Sequence, residues 1–125
     1  MSKTILVIDD DPMIRTLVST LLSREHYTVF TAPDGPAGID AYQMEKPDLV
    51  VVDVAMPGMS GFEVASRVRE IQSSEQRPYT PIIILTAYAR SFIQSTPEDG
   101  RVDSYLTKPV TPEELLKHIR RFLDD

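Results

Sequence analysis

The chain has 125 residues, with 13 Lys+Arg against 19 Asp+Glu for a net charge of −6, and is 42% hydrophobic and 26% charged. That composition describes one globular domain able to bury about two-thirds of its unfolded surface without covalent staples. The lack of cysteine excludes a disulfide framework or thiolate metal site, and no apolar run reaches the ~18 residues needed to span a bilayer. The acidic balance, with no Lys/Arg run, argues against a basic nucleic-acid surface. Met1-Ser2-Lys3 leads into a strand-like segment with no apolar signal region, so a cytoplasmic location and protein partners, with no direct nucleic acid or membrane contact, are expected.

Thr4-Ile5-Leu6-Val7-Ile8 is a short β-branched run and predicts a first strand. Asp11-Pro12 reads as an N-cap followed by proline at the first helical position, opening a helix on Ile14, Leu17, Val18, Leu21 and Leu22. Tyr27 to Thr31 alternates and suits an edge strand, and Ala37, Ile39, Ala41 and Tyr42 predict a helix from about Pro36 to Met44. Leu49-Val50-Val51-Val52 is a second buried-strand run, followed by a helix on Val64, Ala65, Val68 and Ile71. Ile82-Ile83-Ile84-Leu85 is the third such run. A helix over Ala89 to Thr96 is doubtful because Pro97 should stop it. Ser104 to Thr107 is a brief edge strand, and Thr111-Pro112-Glu113-Glu114 caps a last helix on Leu115, Leu116, Ile119, Phe122 and Leu123.

Nearly all of the ten prolines punctuate these elements, and there is no internal repeat, low-complexity tract or linker. Residues 1–125 are therefore read as one domain. Continuous apolar strands alternating with amphipathic helices predict a five-stranded parallel sheet, order 2-1-3-4-5, with helices on both faces.

In that order, ligands bind beyond the carboxyl ends of strands 1 and 3. Asp9 and Asp10 end strand 1, Asp53 ends strand 3, Thr86 ends strand 4 and Lys108 follows strand 5. Taken singly, each has an ordinary explanation as a cap, a turn, a strand residue or a solvated charge. Together they gather three carboxylates, a hydroxyl and an ammonium on one rim. Two carboxylates about 4 Å apart repel by roughly 4 kcal/mol at an effective dielectric of 20, so the cluster needs a proton or a cation. All-oxygen ligands suit Mg²⁺ best, with Mn²⁺ or Ca²⁺ as substitutes. A carboxylate meeting a phosphoryl group there would give an aspartyl phosphate. Asp11 is read as a cap rather than a ligand, His26 and His118 as surface residues without partners, and Met56 and Met59 as loop packing.

The runs Val7-Ile8-Asp9-Asp10-Asp11, Asp53 with Met56-Pro57 and Gly61, Leu85-Thr86-Ala87, and Tyr105-Leu106-Thr107-Lys108-Pro109 span essentially the whole chain. With them the chain resembles a response-regulator receiver domain of two-component signalling, with the CheY-like (flavodoxin-like) fold. The resemblance implies that Asp53 is the phosphoacceptor for a phosphohistidine on a histidine kinase or phosphotransfer protein. It implies Mg²⁺ (or Mn²⁺) held by Asp10, Asp53 and the Ala55 carbonyl, with Asp9 acting mainly through water. Lys108 would pair with Asp53 and then with the phosphoryl oxygens. Thr86 and Tyr105 would be the switch pair, and Lys108-Pro109 resembles a bond that is commonly cis in the family.

The implied readout face carries Tyr88, Arg90, Arg101, Tyr105 and Lys117, for a downstream protein target, an output domain or a phosphorylation-dependent homodimer. The chain departs from the family pattern at Pro97, Gly100-Arg101-Val102 and Val110, so the helix before strand 5 is expected to be short or displaced. Ala55 and Tyr88 stand at positions that tune hydrolysis, and neither can orient water, so a fairly long-lived phosphoryl group is expected. The protein would catalyse its own phosphorylation and dephosphorylation without being a turnover enzyme. The rivals are a phosphorylation-independent pseudo-receiver and a haloacid-dehalogenase-like phosphatase, suggested by the Asp-x-Asp spacing of Asp9-Asp10-Asp11. A flavodoxin-like flavin binder is disfavoured, because three aspartates would repel its phosphate. A chain ending just after its last helix suits either a free-standing regulator or the receiver piece of a larger protein.

Overall fold

In the computed structural model, which describes residues 2–87 and 101–123, the described residues form five strands and four helices, alternating as expected from β1 to β4. They are β1 (Thr4–Ile8), α1 (Pro12–Arg24), β2 (Thr28–Ala32), α2 (Gly35–Glu45), β3 (Leu49–Asp53), α3 (Gly61–Ser74), β4 (Ile82–Thr86), β5 (Ser104–Thr107) and α4 (Pro112–Leu123). Every pairing is parallel, and the order is β2-β1-β3-β4-β5. The segment Ala89 to Thr96, where the sequence makes a helix doubtful, and Tyr88, Arg90, Pro97 and Gly100 lie outside the described residues.

β3 and β4 are buried at all five positions because both faces of the sheet are covered. Alternation divides the core in two. Leu6, Ile8, Val50, Val52, Ile82 and Ile84 meet α2 and α3. Ile5, Val7, Leu49, Val51, Ile83 and Leu85 meet α1 and α4.

Side-chain caps fix where the helices begin. Asp11 accepts from the Met13 N–H at 2.9 Å and Thr111 Oγ1 from the Glu114 N–H at 3.1 Å, as their sequences predict. Asp34 and Ser60 cap α2 and α3 in the same way, accepting from Ala37 and Glu63. The second strand runs one residue later than its alternation suggests. The Tyr27 N–H is drawn to Leu22 O at the end of α1, and the first ladder bond is donated by Thr28 to Lys3 O.

At the amino ends of β4 and β5, Arg69 of α3 joins several segments. Its guanidinium donates to Thr80 O at 2.7 Å and to Asp103 Oδ2 at 3.0 Å, and the same carboxylate oxygen accepts the Ile82 N–H at 2.8 Å. Gln72 accepts from both Arg69 and the Thr80 N–H.

Tyr42 of α2 is 1% exposed, yet its hydroxyl has no hydrogen-bond partner among the described residues. Removing an unsatisfied buried oxygen relieves a desolvation penalty. Tyr42→Phe is therefore expected to leave stability unchanged or raise it by about 1 kcal/mol in urea unfolding. A clear loss would show that the hydroxyl is bonded in solution.

Candidate functional site

The carboxyl ends of β1, β3 and β4 and the residue following β5 converge on one rim. Asp9 is 1% exposed, and all four of its polar positions are engaged. Its N–H donates to Ala32 O at 3.1 Å, and its carbonyl accepts from Arg15 Nη1 at 2.6 Å. Oδ1 accepts the Asp11 N–H at 2.9 Å, and Oδ2 accepts from Lys108 Nζ at 3.2 Å. Asp53, the last residue of β3, is buried; its Oδ1 lies 3.3 Å from Lys108 Nζ and accepts the Ala55 N–H at 3.4 Å. Asp10 is exposed, and its carboxylate makes no hydrogen bond among the described residues. Carboxylate oxygens of Asp9, Asp10 and Asp53 all lie within 4.8 Å of one another.

Burial, and after it the charge of Asp9, raises the Asp53 carboxyl above its ordinary value, against the opposing pull of Lys108. For Lys108, burial alone would lower the ammonium, but the charges of Asp9 and Asp53 outweigh it and hold the group above its ordinary range. Three carboxylates against one ammonium leave a surplus of negative charge. The all-oxygen donor set fits a hard divalent cation.

Thr86 is buried at the end of β4 and its carbonyl accepts the Lys108 N–H at 2.6 Å, so the hydroxyl-bearing strand and the ammonium share one backbone link. The Lys108-Pro109 bond is cis, as the resemblance implies. Ala55 is exposed two residues beyond Asp53. Tyr105 stands on β5, half-buried, with its ring centre 6.4 Å from that of Phe62. Arg101 donates to Ser66 Oγ at 3.0 Å, and Lys117 on α4 is exposed.

One expectation needs correction. His118 is half-buried, and its Nδ1 shares a 2.7 Å hydrogen bond with Ser104 Oγ, linking α4 to the edge strand. Burial, then Arg121 and Lys117, lowers its pKa. His26 is exposed as expected.

Two residues at the rim escape a reading by residue type. Arg15 bonds a backbone carbonyl, which no side-chain pattern marks. Gly61, at the first position of α3, permits backbone-to-backbone contact: a Cβ there would lie 2.5 Å from Asp53 O and 2.9 Å from Val54 Cα. Gly61 is among the residues that carry the family resemblance, but its close backbone contact is not legible from the residue type alone.

A parallel α/β domain with an acidic, lysine-bridged rim at its topological switch point defines a class of phosphate- or metal-handling proteins. Within that class the chain belongs to the response regulator receiver domain family, whose description matches residues 5–120, and its fold is CheY-like. It is 42% identical to an uncharacterised 14.6 kDa protein of Leptolyngbya boryana, over 94% of this chain and 88% of that one. It is 37% identical to the alkaline phosphatase synthesis transcriptional regulatory protein PhoP of Bacillus subtilis, over 98% of this chain and 49% of PhoP. The crystal structure of the response regulator TrrA of Thermotoga maritima, in complex with Mg²⁺-BeF, is 36% identical. It matches 97% of this chain and 99% of TrrA with a TM-score of 0.79. The chain spans about half the length of the transcriptional regulators among its relatives. Among the described residues no helix is long and apolar enough to cross a membrane.

Proposed function

We propose that this receiver domain takes a phosphoryl group onto Asp53 from a phosphohistidine of a histidine kinase or phosphotransfer protein, in a Mg²⁺-dependent step, and signals through a changed protein-interaction face. The observation that carries the reading is Asp53 itself: a buried carboxylate bridged by Lys108, with Asp9 and Asp10 oxygens within 4.8 Å. An acceptor of this kind attacks phosphorus through a carboxylate oxygen, the bond to the donor nitrogen breaks, and an acyl phosphate results.

Asp10 and Asp53, with the Ala55 carbonyl, would hold Mg²⁺, which supplies charge neutralisation at the phosphoryl oxygens. Both oxygens of Asp9 already accept hydrogen bonds, which supports a role through water for that residue. Lys108 would follow the charge from carboxylate to phosphoryl group, and Thr86 would follow Lys108; the backbone bond between them supports this reading. Tyr105 would then re-pack, and the altered β5 and α4 surface would bind a downstream target, an output domain or a second copy. The domain acts as a self-phosphorylating acceptor without turnover of an external substrate, in the cytoplasm, and its phosphoryl group is long-lived because Ala55 cannot orient water.

The test is incubation with acetyl phosphate and Mg²⁺, read by intact mass. The native chain is expected to gain one phosphoryl group, and Asp53→Asn and the EDTA control none. Label that persists in Asp53→Asn would remove the acceptor assignment, and no label on the native chain would favour the pseudo-receiver. The same variant tests the electrostatics. The raised carboxyl of Asp53 favours the folded state while protonated, a contribution complete below its unfolded pKa of roughly 3.9 and lost as pH rises through the folded value. In metal-free buffer Asp53→Asn is therefore expected to melt higher than the native chain at pH 7. The difference should shrink on acidification.

A further inference from the structure

Asp10 differs from its neighbours at the rim. Asp9 is fixed at four points and Asp53 is gripped by Lys108 and the Ala55 N–H. Asp10 is exposed and has no side-chain tether among the described residues. Its position over the site depends on the peptide that joins it to Asp9. That peptide's carbonyl is the Asp9 carbonyl, and it accepts from Arg15 Nη1 at 2.6 Å. Arg15 stands one turn into α1, whose start is held by the Asp11 cap, and a charge-assisted hydrogen bond from a rigid helix fixes a peptide plane firmly.

We propose that Arg15 is a positioning residue for the cation site, holding the Asp9-Asp10 peptide so that the Asp10 carboxylate faces Asp53. The inference rests on the reading of the rim as a Mg²⁺ site. It also makes a prediction opposite in sign to simple electrostatics. A guanidinium beside an acidic cluster repels a cation, so if charge were its only effect, removing it would tighten Mg²⁺ binding. If Arg15 positions Asp10, removing it weakens binding. Groups that orient a ligand from behind typically contribute 10- to 100-fold in metal affinity.

The experiment is calorimetric titration of the whole chain with MgCl₂, comparing native, Arg15→Met and Arg15→Lys. Methionine keeps an apolar stem on α1 and deletes the donor; lysine keeps a charge and one donor group. Arg15→Met is expected to weaken Mg²⁺ binding by roughly tenfold, with Arg15→Lys recovering part of the loss. In the metal-free state the Asp10 amide resonance should move in Arg15→Met. Unchanged or tighter Mg²⁺ binding by a folded Arg15→Met overturns the proposal while leaving the metal site intact. Failure of the native chain to bind Mg²⁺ overturns the metal reading, and the role of Arg15 with it.

Discussion

Lys108→Ala is expected to destabilise the metal-free domain by about 3 kcal/mol, the lower end of the range for stripping a buried charge pair of one partner. The lower end is appropriate because the lysine side chain is 22% exposed, whereas those of Asp9 and Asp53 are 1% and 7% exposed. Without the ammonium, two carboxylates that shared it face each other in a poorly solvated site. Their repulsion is roughly 4 kcal/mol at 4 Å and an effective dielectric of 20. Proton uptake limits the loss, since Asp53 is already raised by burial and by Asp9 and would rise further. The deficit should therefore be largest at alkaline pH and smaller near pH 5. Millimolar Mg²⁺ should recover much of it, because a divalent ion supplies the missing positive charge. Urea unfolding in EDTA and in MgCl₂ gives the comparison. A loss below about 1 kcal/mol in EDTA would mean that water, not Lys108, balances the rim.

Gly61→Ala is expected to lower stability by about 3 kcal/mol, at the upper end of overpacking effects. The three nearest atoms to the added methyl would be Asp53 O, Val54 Cα and Asp53 C, at 2.5, 2.9 and 3.0 Å. All three are backbone, so no side chain can turn aside to relieve the clash. Gly61 also donates its N–H to Val54 O at 3.0 Å, which holds the start of α3 against the end of β3. Moving either element shifts Asp53 and its carboxylate, so the loss of stability should come with a loss of Mg²⁺ affinity. Calorimetry and denaturation on one preparation measure both, and an alanine variant with native values for each would show that the β3–α3 junction is pliant.

The fold was legible where local chemistry and tertiary packing agree. Leu49 to Val52 and Ile82 to Leu85 are apolar without alternation because they are buried on both faces, and the Asp11 and Thr111 caps act within their own turns. Asp9, Asp10, Asp53 and Lys108 could be gathered from sequence because parallel strands deliver their last residues to one edge. The contacts of Arg15, Gly61 and His118 could not, since their partners are a carbonyl, a stretch of backbone and a serine fourteen positions away. The start of β2 was misread because alternation alone cannot distinguish Tyr27 pairing with a strand from Tyr27 closing the helix before it.

The bonds from Arg69 to Thr80 and Asp103 clamp β4 and β5 at the end remote from the acidic rim. Two strands tied through one guanidinium at that end hold their register against lengthwise slippage independently of the charged groups at the other.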